Sequence, residues 1–461
     1  MTSISRRMAQ FALGLRYADI PEAARHEAKR FLLDSVGCAL AAVDHEDMLQ
    51  AYDYVRRVGG KAQATIIGHG TRTDIANAAL LNALLIRAMD YNDIYWKQDP
   101  SHPSDILPAA LAPAEFRELN GKELIVGMVI AYELEMRLCL AATPGVREVG
   151  WHHATLTQFV SPIVAGRMLG LSEDQLVAAC GISGSSHFTL GGVVAGHLTN
   201  MKNTADPMAT EAGVRAAVLA STGYSGPVEL FEGKEGVFHV LNQVAWDPDA
   251  MTRGLGSEFL ITECGYKAFP TEALTHQPIT AVLEVMEENE IDPHALRSIL
   301  VKTTTRGADI LSDPSKYDPQ TKETADHSLP YCVAVAAAQG NVLPSDFETD
   351  ALRDPFVRSL LGKIQVVADP SIDALFPKVK RAIVTVTTEN GESFTRQEDF
   401  AKGSPERPLS DEDVADKFRS NAASILSERK IGRIVNTTFA LEEIETTSDY
   451  MRLLTRSRPS R

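Results

Sequence analysis

The chain has 461 residues, of which 44% are hydrophobic and 23% charged, a balance typical of a globular protein of two or three domains. Its 45 basic and 61 acidic residues give a formal net charge of −16, and no basic stripe is present that could neutralise the phosphates of a nucleic acid. No apolar run is long enough to span a bilayer, so neither nucleic acid nor membrane is expected as a partner.

The cysteines indicate a reducing environment. They are odd in number, widely separated and never arranged as C-x-x-C, which argues against structural disulfides, cysteine-rich zinc sites and iron–sulfur clusters. We expect buried free thiols in a cytoplasmic protein at Cys38, Cys139, Cys180, Cys264 and Cys332.

The first half of the sequence predicts helices. One begins near Asp19–Glu22, with Pro21 in its first turn, and apolar residues then follow at helical spacing. Another begins with a capping box at Ser172–Gln175 and is expected to end at Gly181. Small residues dominate segments such as MATEAGVRAAVLAS, which favours close helix–helix approach and therefore a helical core.

The pattern changes near residue 263. β-Branched runs at 298–305, 362–369 and 382–388 predict strands, and Asn390-Gly391 after the last run predicts a hairpin into SFTRQEDF. Helical patterns resume at Ser410. The sequence therefore predicts a mainly α fold: a large helical domain formed by residues 1–262 and 403–461, with a smaller α+β lid domain, residues 263–402, inserted into it.

The stretch MDYNDIYWKQDPSHPSD, residues 89–105, predicts the lining of a cleft. It follows an apolar helix directly and contains four aspartates, including Asp90, together with His102 and two prolines. A surface loop would explain the prolines and Asp99. A surface loop explains its three bulky aromatics poorly, because aromatic side chains prefer burial. Ser104 is expected to cap the next helix, and that helix N-terminus beside His102 would be a ready anion site.

Four further stretches carry candidate residues. They are GWHHATLTQF with His152, HLTNMKNTADPMATEAG with Lys202, ECGYKAFPTEALTHQP with Lys267 and His276, and ETADHSLPYCVAVAAAQG with His327 and Tyr331.

Each candidate also has a structural interpretation. A histidine before a helix is often a capping or core group, and Lys202 or Lys267 taken singly is typical of a solvated side chain. His153 is expected to pack away from His152 because adjacent side chains point apart, and Asp90 could simply cap a helix or pair with Arg87.

Metal and nucleophile chemistry find little support. The pair His152-His153 lacks the i, i+4 spacing of a helical ligand pair, and G-I-S-G-S at 181–185 has no preceding strand. The remaining histidines, lysines, aspartate and tyrosine suit proton removal beside a carboxylate, with lysines stabilising the developing negative charge.

Six motifs, in order along almost the whole chain, resemble the MmgE/PrpD family, which includes 2-methylcitrate dehydratase, cis-aconitate decarboxylase and iminodisuccinate epimerase. The motifs are AKRFLLDSVGCALAA, MDYNDIYWKQDPSHPSD, GWHHATL, MKNTADPMATEAG, YKAFPTEALTH and ADHSLPYCVAVA. The resemblance implies a helical domain with a smaller α+β lid, a homodimer, and catalysis without a metal or an organic cofactor.

The resemblance also implies the site residues. The catalytic set that it points to is Asp90, His102, His152, Lys202, Lys267 and, in a more loosely matching motif, Tyr331. The expected substrate-binding set is His102, Lys202 and Lys267 together with Ser104 and His276. Relatives often carry threonine in a D-D-T or N-D-T motif where this chain has Ile94, and the NMKN segment departs from the expected S-K motif.

The expected activity is that of a cofactor-free hydro-lyase acting on a small anionic carboxylate, namely dehydration of 2-methylcitrate to 2-methyl-cis-aconitate. Decarboxylation of cis-aconitate and epimerisation of an amino- or imino-dicarboxylate are the alternatives within the family. A non-catalytic helical binding protein is the alternative outside it. Convergence of buried histidines and lysines would favour an enzyme, and their scattering over the surface would favour the binding protein.

Overall fold

Residues 2–195 and 198–456 are described by a computed structural model, which divides the chain into two compact units. The larger unit comprises Met1–Ala88, Asn92–Cys264 and Ser410–Arg461, and the smaller comprises Met89–Tyr91 and Gly265–Leu409. The division lies within seven residues of the boundaries expected at 262/263 and 402/403. The assignment of Met89–Tyr91 to the smaller unit was not foreseen.

The structure is mainly α, as the sequence predicts. The first part of the larger unit contains helices α1 (Ile4–Gly14), α2 (Glu22–Ala42), α3 (Glu46–Val58), α4 (Ile75–Arg87), α5 (Leu107–Phe116), α6 (Gly121–Ala141), α7 (Ala154–Leu169), α8 (Glu173–Gly184), α9 (Met201–Ser221) and α10 (Val237–Val240). Three two-stranded ribbons accompany them: β1 (Ala64–Thr65) with β2 (Arg72–Thr73), β3 (Tyr95–Trp96) with β4 (Pro100–Ser101), and β5 (Ala142–Thr143) with β6 (Ala245–Trp246).

The smaller unit combines helices with one four-stranded sheet. Its elements are α11 (His276–Glu288), β7 (Leu296–Thr303), α12 (Thr305–Leu311), α13 (Lys322–Ala325), α14 (Leu329–Gln339), α15 (Pro355–Leu361), β8 (Ile364–Ala368), α16 (Pro370–Asp373), β9 (Ala382–Thr388) and β10 (Ser393–Glu398). The chain then returns to the larger unit with α17 (Asp411–Ala422), α18 (Glu428–Phe439) and α19 (Thr447–Leu453).

The core of the larger unit is centred on α7 and α9, which approach each other closely because small residues face the contact. A Cβ added at Gly213 of α9 would lie 2.0 Å from Oγ of Ser161 on α7, so no larger residue fits there without displacement. The Ser161 hydroxyl donates to the carbonyl oxygens of Thr157 and, across the contact, Ala209. The expected close approach is confirmed at this pair. No helix in the described ranges has both the length and the apolar character needed to cross a membrane.

The sheet of the smaller unit has the strand order β10-β9-β7-β8, with β7 and β8 parallel and the other pairs antiparallel. The four predicted strands are therefore confirmed. The β9–β10 hairpin turns at Asn390-Gly391, where Gly391 has φ +91°, a left-handed conformation that glycine adopts at little cost.

Two details of the helical prediction are wrong. The capping box of α8 is present, but the helix continues past Gly181 to Gly184. Gly181 meets a packing requirement instead, since a Cβ there would lie 2.3 Å from the Pro227 carbonyl oxygen. Ser104 does not cap α5: it lies inside a 3-10 turn, Pro103–Ile106, and its hydroxyl donates to Asp93.

Helices α2 and α17, from opposite ends of the chain, are joined by a buried ion pair. Lys417 Nζ lies 2.7 Å from Asp34 Oδ1, with side-chain exposures of 6% and 1%. Burial raises the pKa of Asp34, although Lys417 and Arg30 act against this effect. The carboxylate therefore depends on its lysine to remain charged inside the core.

We expect Lys417→Met to lower the free energy of unfolding by roughly 3–5 kcal/mol, because it leaves a buried carboxyl without its partner. The double variant Asp34→Asn/Lys417→Met should recover most of that loss, since it removes both charges. Urea denaturation measures both effects. Arg419→Met is the control: its ion pairs with Glu412 and Asp416 are exposed, so it should change stability by about 0.5 kcal/mol or less. An equal loss of stability in Lys417→Met and Arg419→Met would contradict this account.

Candidate active site

The hairpin formed by β3 and β4 positions His102. Tyr95 pairs with Ser101 and Trp96 with Pro100, so His102 follows directly after β4. Its Nδ1 lies 2.5 Å from the carbonyl oxygen of Asp93. A carbonyl oxygen can only accept a hydrogen bond, so Nδ1 must carry a proton. The neutral imidazole of His102 consequently has its basic lone pair on Nε2.

Asp93 holds this loop from the opposite side. Its carboxyl group accepts from the Ser104 hydroxyl at 2.6 Å, the Ser104 backbone N–H at 3.1 Å and the Tyr132 hydroxyl at 2.6 Å. Burial raises the pKa of Asp93 to about 6, and the hydrogen bonds from Ser104 and Tyr132 keep it from rising further. Ser104 is therefore a support of the His102 loop rather than a helix cap.

His152 lies immediately before α7 and is fully buried. Its backbone N–H donates to the Thr189 carbonyl oxygen at 2.8 Å, and its ring Nδ1 accepts the Ala154 backbone N–H at 3.2 Å. Because Nδ1 is an acceptor, the proton of the neutral ring is on Nε2. His102 and His152 therefore have opposite tautomers, one with a basic Nε2 and the other with a donating Nε2–H.

His153 belongs to the same cluster, so the expectation that it packs away from His152 is wrong. The ring centroids of the two residues are 4.0 Å apart, and the His153 centroid is 5.7 Å from that of His102. The backbone turn before α7 brings the adjacent rings to one side. We call His102, His152, His153 and Asp206 the histidine cluster.

Asp206 of α9 pairs with His153, with Oδ2 3.2 Å from Nε2 and both side chains buried. Burial alone would raise the pKa of Asp206, but the interactions with His153, and further those with His152 and Arg87, outweigh it and lower the pKa. Asp206 is therefore a buried carboxylate anion.

His152 is consequently neutral near pH 7. Burial lowers its pKa well below the ordinary histidine value, and the neighbouring imidazole of His153 lowers it further.

Lys202 lies in the first turn of α9 and is buried, so it is not a solvated side chain. It precedes Asp206 by four residues, which places both on the same face of the helix. The next residue, Asn203, donates to the Ala88 carbonyl oxygen at the end of α4. Lys202 thus belongs to the helix face that carries the anion of the histidine cluster.

In the smaller unit, Lys267 and Asp90 form a buried ion pair, with Nζ 2.9 Å from Oδ1. Lys267 also donates to the carbonyl oxygens of Asp90, at 3.0 Å, and Thr271, at 2.9 Å. The Thr271 carbonyl oxygen lies 3.3 Å from Nε2 of His276. Asp90, Lys267, Thr271 and His276 are called the lysine cluster. In the larger unit, Arg87 Nε lies 3.5 Å from Asp105 Oδ2.

A second charged group of the smaller unit contains the candidate His327 together with Lys322 and Asp326. One carboxylate oxygen of Asp326 lies 3.1 Å from Lys322 Nζ, and the other lies 2.5 Å from His327 Nδ1. Burial acts to lower the pKa of Lys322, but Asp326 and, among others, Asp90 raise it overall. Tyr331 has a different environment, because its buried hydroxyl donates to the Asp346 carbonyl oxygen at 2.7 Å.

Each unit brings some of the expected residues together. His102, His152 and Ser104 converge in the larger unit, with Lys202 on the adjoining helix. Asp90, Lys267 and His276 converge in the smaller unit, and Tyr331 is bonded elsewhere. The sequence interpretation missed His153 and Asp206, although Asp206 could have been found from its position one helical turn after Lys202.

The histidine cluster includes a group of potential metal ligands. Among the described residues, His152, His153 and Asp206 have donor atoms that lie within 4.8 Å of one another. The sequence did not reveal this group because Asp206 is distant along the chain. Catalysis without a metal stays a prediction.

Comparison with known proteins identifies the family of the chain. The model of the MmgE/PrpD N-terminal domain matches residues 6–247, and that of the MmgE/PrpD C-terminal domain matches residues 269–441. The chain belongs to the MmgE/PrpD family.

Curated MmgE/PrpD relatives match over most of their length. The cis-aconitate decarboxylase-like protein oryM of Aspergillus oryzae is 26% identical, over 98% of this chain and 97% of the relative. Human cis-aconitate decarboxylase is 24% identical, over 98% and 95%. The 2-methylcitrate dehydratase of Escherichia coli K12 is 25% identical, over 90% and 89%. The family places the chain among lyase-type enzymes.

We expect nuclear magnetic resonance of ¹⁵N-histidine-labelled protein to show two opposite neutral tautomers at pH 7. His102 should be protonated at Nδ1, because that atom faces a carbonyl oxygen, and His152 at Nε2, because its Nδ1 faces a backbone N–H. His152 should remain neutral as the pH falls to 6, since its pKa is depressed. His102→Gln and His152→Gln assign the two signals. The same tautomer at both residues would contradict the assignment.

Proposed function

We propose that the chain is a cofactor-free hydro-lyase that dehydrates a 2-hydroxy tricarboxylate, with 2-methylcitrate converted to 2-methyl-cis-aconitate. The observation that carries the proposal is the pair of buried histidines with opposite tautomers beside the Asp206–His153 ion pair. Convergence of these groups favours an enzyme over a binding protein. The names of the dehydratase relatives support the reaction class.

His102 acts as the base. Its Nε2 lone pair takes a proton from the carbon next to a carboxylate, and the electrons of that C–H bond form the new double bond as the C–O bond breaks. The His102 imidazolium then returns the proton to the departing hydroxide, which leaves as water. No net proton is exchanged with solvent, and the enzyme regains its starting form.

His152 acts as a hydrogen-bond donor. A neutral imidazole is too weak an acid to give up its Nε2 proton, but the N–H can stabilise the carboxylate oxygen on which negative charge develops. Lys202 supplies a fixed positive charge for the anionic substrate, which a protein of net charge −16 otherwise repels. The participation of Asp90, Lys267, His276 and Tyr331 stays a prediction, as does the homodimer.

Decarboxylation of cis-aconitate is the second candidate. One of the compared relatives is named cis-aconitate decarboxylase and another cis-aconitate decarboxylase-like protein. The loss of a carboxylate would build carbanion charge that the same donor could stabilise. Ile94 leaves the threonine hydroxyl of the D-D-T motif missing in this chain. The substrate therefore has to be chosen by experiment.

We expect purified protein incubated with 2-methylcitrate to gain ultraviolet absorbance from the conjugated product, because dehydration places the double bond beside a carboxylate. Citrate and cis-aconitate serve as comparison substrates, with carbon dioxide release measured in parallel. Activity should persist after dialysis against a chelator. Inert 2-methylcitrate and citrate, together with carbon dioxide release from cis-aconitate, would replace the leading function with the second.

We expect His102→Gln to lower kcat by ~10²–10⁴-fold, because it removes the base, and His152→Gln to lower it less, because an amide can still donate. Lys202→Ala should raise KM as well, since it removes a charge that attracts the bound substrate. The matched control is His26→Gln, an exposed histidine bonded to Asp411, which should leave both constants unchanged.

Circular dichroism and thermal melts establish that each variant is folded. Near-wild-type turnover by both His102→Gln and His152→Gln, with a verified substrate, would show that the histidine cluster is not the active site.

A further inference from the structure

Glu135 is a buried carboxyl group that the proposed reaction does not use. It lies on α6 and has 0% exposure. Its Oε1 accepts the Ser101 hydroxyl at 2.6 Å and the Thr157 hydroxyl at 3.1 Å. Its Oε2 has no hydrogen-bond partner among the described residues.

The two donors come from the segments that carry the histidines. Ser101 is the last residue of β4 and directly precedes His102. Thr157 lies in the first turns of α7, just after His152 and His153. One oxygen atom of Glu135 thus joins the hairpin that presents the basic Nε2 to the helix that presents the donating N–H.

We infer that Glu135 is a positioning residue, which as a neutral acid fixes the spacing between His102 and His152 by bridging Ser101 and Thr157. This inference rests on the proposed function of the histidine cluster. Glu135 itself touches none of the reacting groups. Glu135 lies in none of the six motifs that carry the family resemblance, so it adds a residue to the proposed site.

Charge supports the neutral form. Burial raises the pKa of Glu135 to about 8, and the carboxylates of Asp206 on α9 and Asp99 in the β3–β4 loop also raise it. The hydroxyls of Ser101 and Thr157 act in the opposite direction. Cys139, one turn later on α6, has its own pKa raised by burial and by Glu135.

Ionisation of Glu135 would place a second buried anion beside Asp206. That charge would repel the Asp206 carboxylate and an anionic substrate bound nearby, because like charges at short range are unfavourable. The enzyme should therefore lose activity as the pH rises through about 8, the value at which Glu135 ionises.

The test compares Glu135→Gln, which keeps an acceptor oxygen but cannot ionise, with Glu135→Leu, which removes the acceptor. Because small displacements of catalytic groups reduce turnover strongly, Glu135→Leu should lower kcat at pH 7 by roughly 10²-fold, with KM little changed. Glu135→Gln should keep the wild-type kcat at pH 7 and remain active above pH 8, where the wild-type rate falls. Equal losses in both variants, or wild-type kcat in Glu135→Leu, would overturn the inference.

Glu115→Gln is the matched control. Glu115 is also buried, accepts both the backbone N–H and the hydroxyl of Thr65, and has its pKa raised by burial. It lies on α5 and bonds to neither histidine segment. Its variant should leave kcat and the pH profile unchanged. If Glu135→Leu does not fold, the double variant Ser101→Ala/Thr157→Val removes the same two hydrogen bonds and should show the same loss of kcat.

Two measurements need no substrate and so separate this inference from the proposed function. The ¹⁵N signals of His102 and His152 should change in Glu135→Leu and persist in Glu135→Gln. Thermal melts report the charge state of Glu135. The folded protein keeps the Glu135 proton up to about pH 8, whereas the unfolded chain loses it near the ordinary glutamate pKa. Raising the pH between these two values therefore destabilises the wild type. The melting temperature of Glu135→Gln should therefore rise relative to wild type across this pH range. Unchanged histidine signals in Glu135→Leu, or a constant difference in melting temperature, would count against the inference even if no substrate were found.

Discussion

The ion pair between His153 and Asp206 is the interaction on which the histidine cluster depends. An isolated carboxylate is strongly disfavoured in a protein interior, so the ionised form of Asp206 depends on the neighbouring imidazole of His153, whose interaction lowers the pKa of Asp206. After burial, the same imidazole is the next largest cause of the depressed pKa of His152. One buried contact thus affects the pKa values of two residues.

Three of the buried carboxyl groups in the larger unit are in different states, and their surroundings explain the difference. Asp206 faces the imidazole of His153, and its pKa is lowered. Asp93 receives several hydrogen bonds but no adjacent cation, and its pKa rises to about 6. Glu135 has fewer donors and two acidic neighbours, and its pKa rises to about 8. Burial acts in the same direction on all three, so the neighbouring groups determine which acid is charged.

Much of the fold could be predicted from the sequence because local patterns determine it. The β-branched runs and the Asn390-Gly391 turn predicted the strands of the sheet, and helical periodicity predicted the mainly α fold. The stretch from Met89 to Asp105 drew attention to His102 through an unusual mixture of acids and aromatics. Family resemblance, rather than spacing, supplied the roles of Lys202 and Lys267. What could not be predicted depends on tertiary distances: the turn that brings His153 beside His152, the partner of Asp90, and the bridge made by Glu135. Each of these joins residues that are far apart in sequence or depends on a local backbone bend.

The larger unit is built from three separate stretches of the chain, the last of which begins at Ser410. Helix α17 packs on α2 and supplies the cation for Asp34, so the second helix of the protein has no complete core until the C-terminal region exists. During synthesis on a ribosome, the residues of the smaller unit emerge before that region does. The N-terminal helices must therefore wait, with apolar surface exposed, while about 145 residues of another unit are translated. The smaller unit is a continuous stretch apart from Met89–Tyr91, which have already emerged, and is free to fold first. The larger unit is therefore the first to be translated and the last to complete its folding.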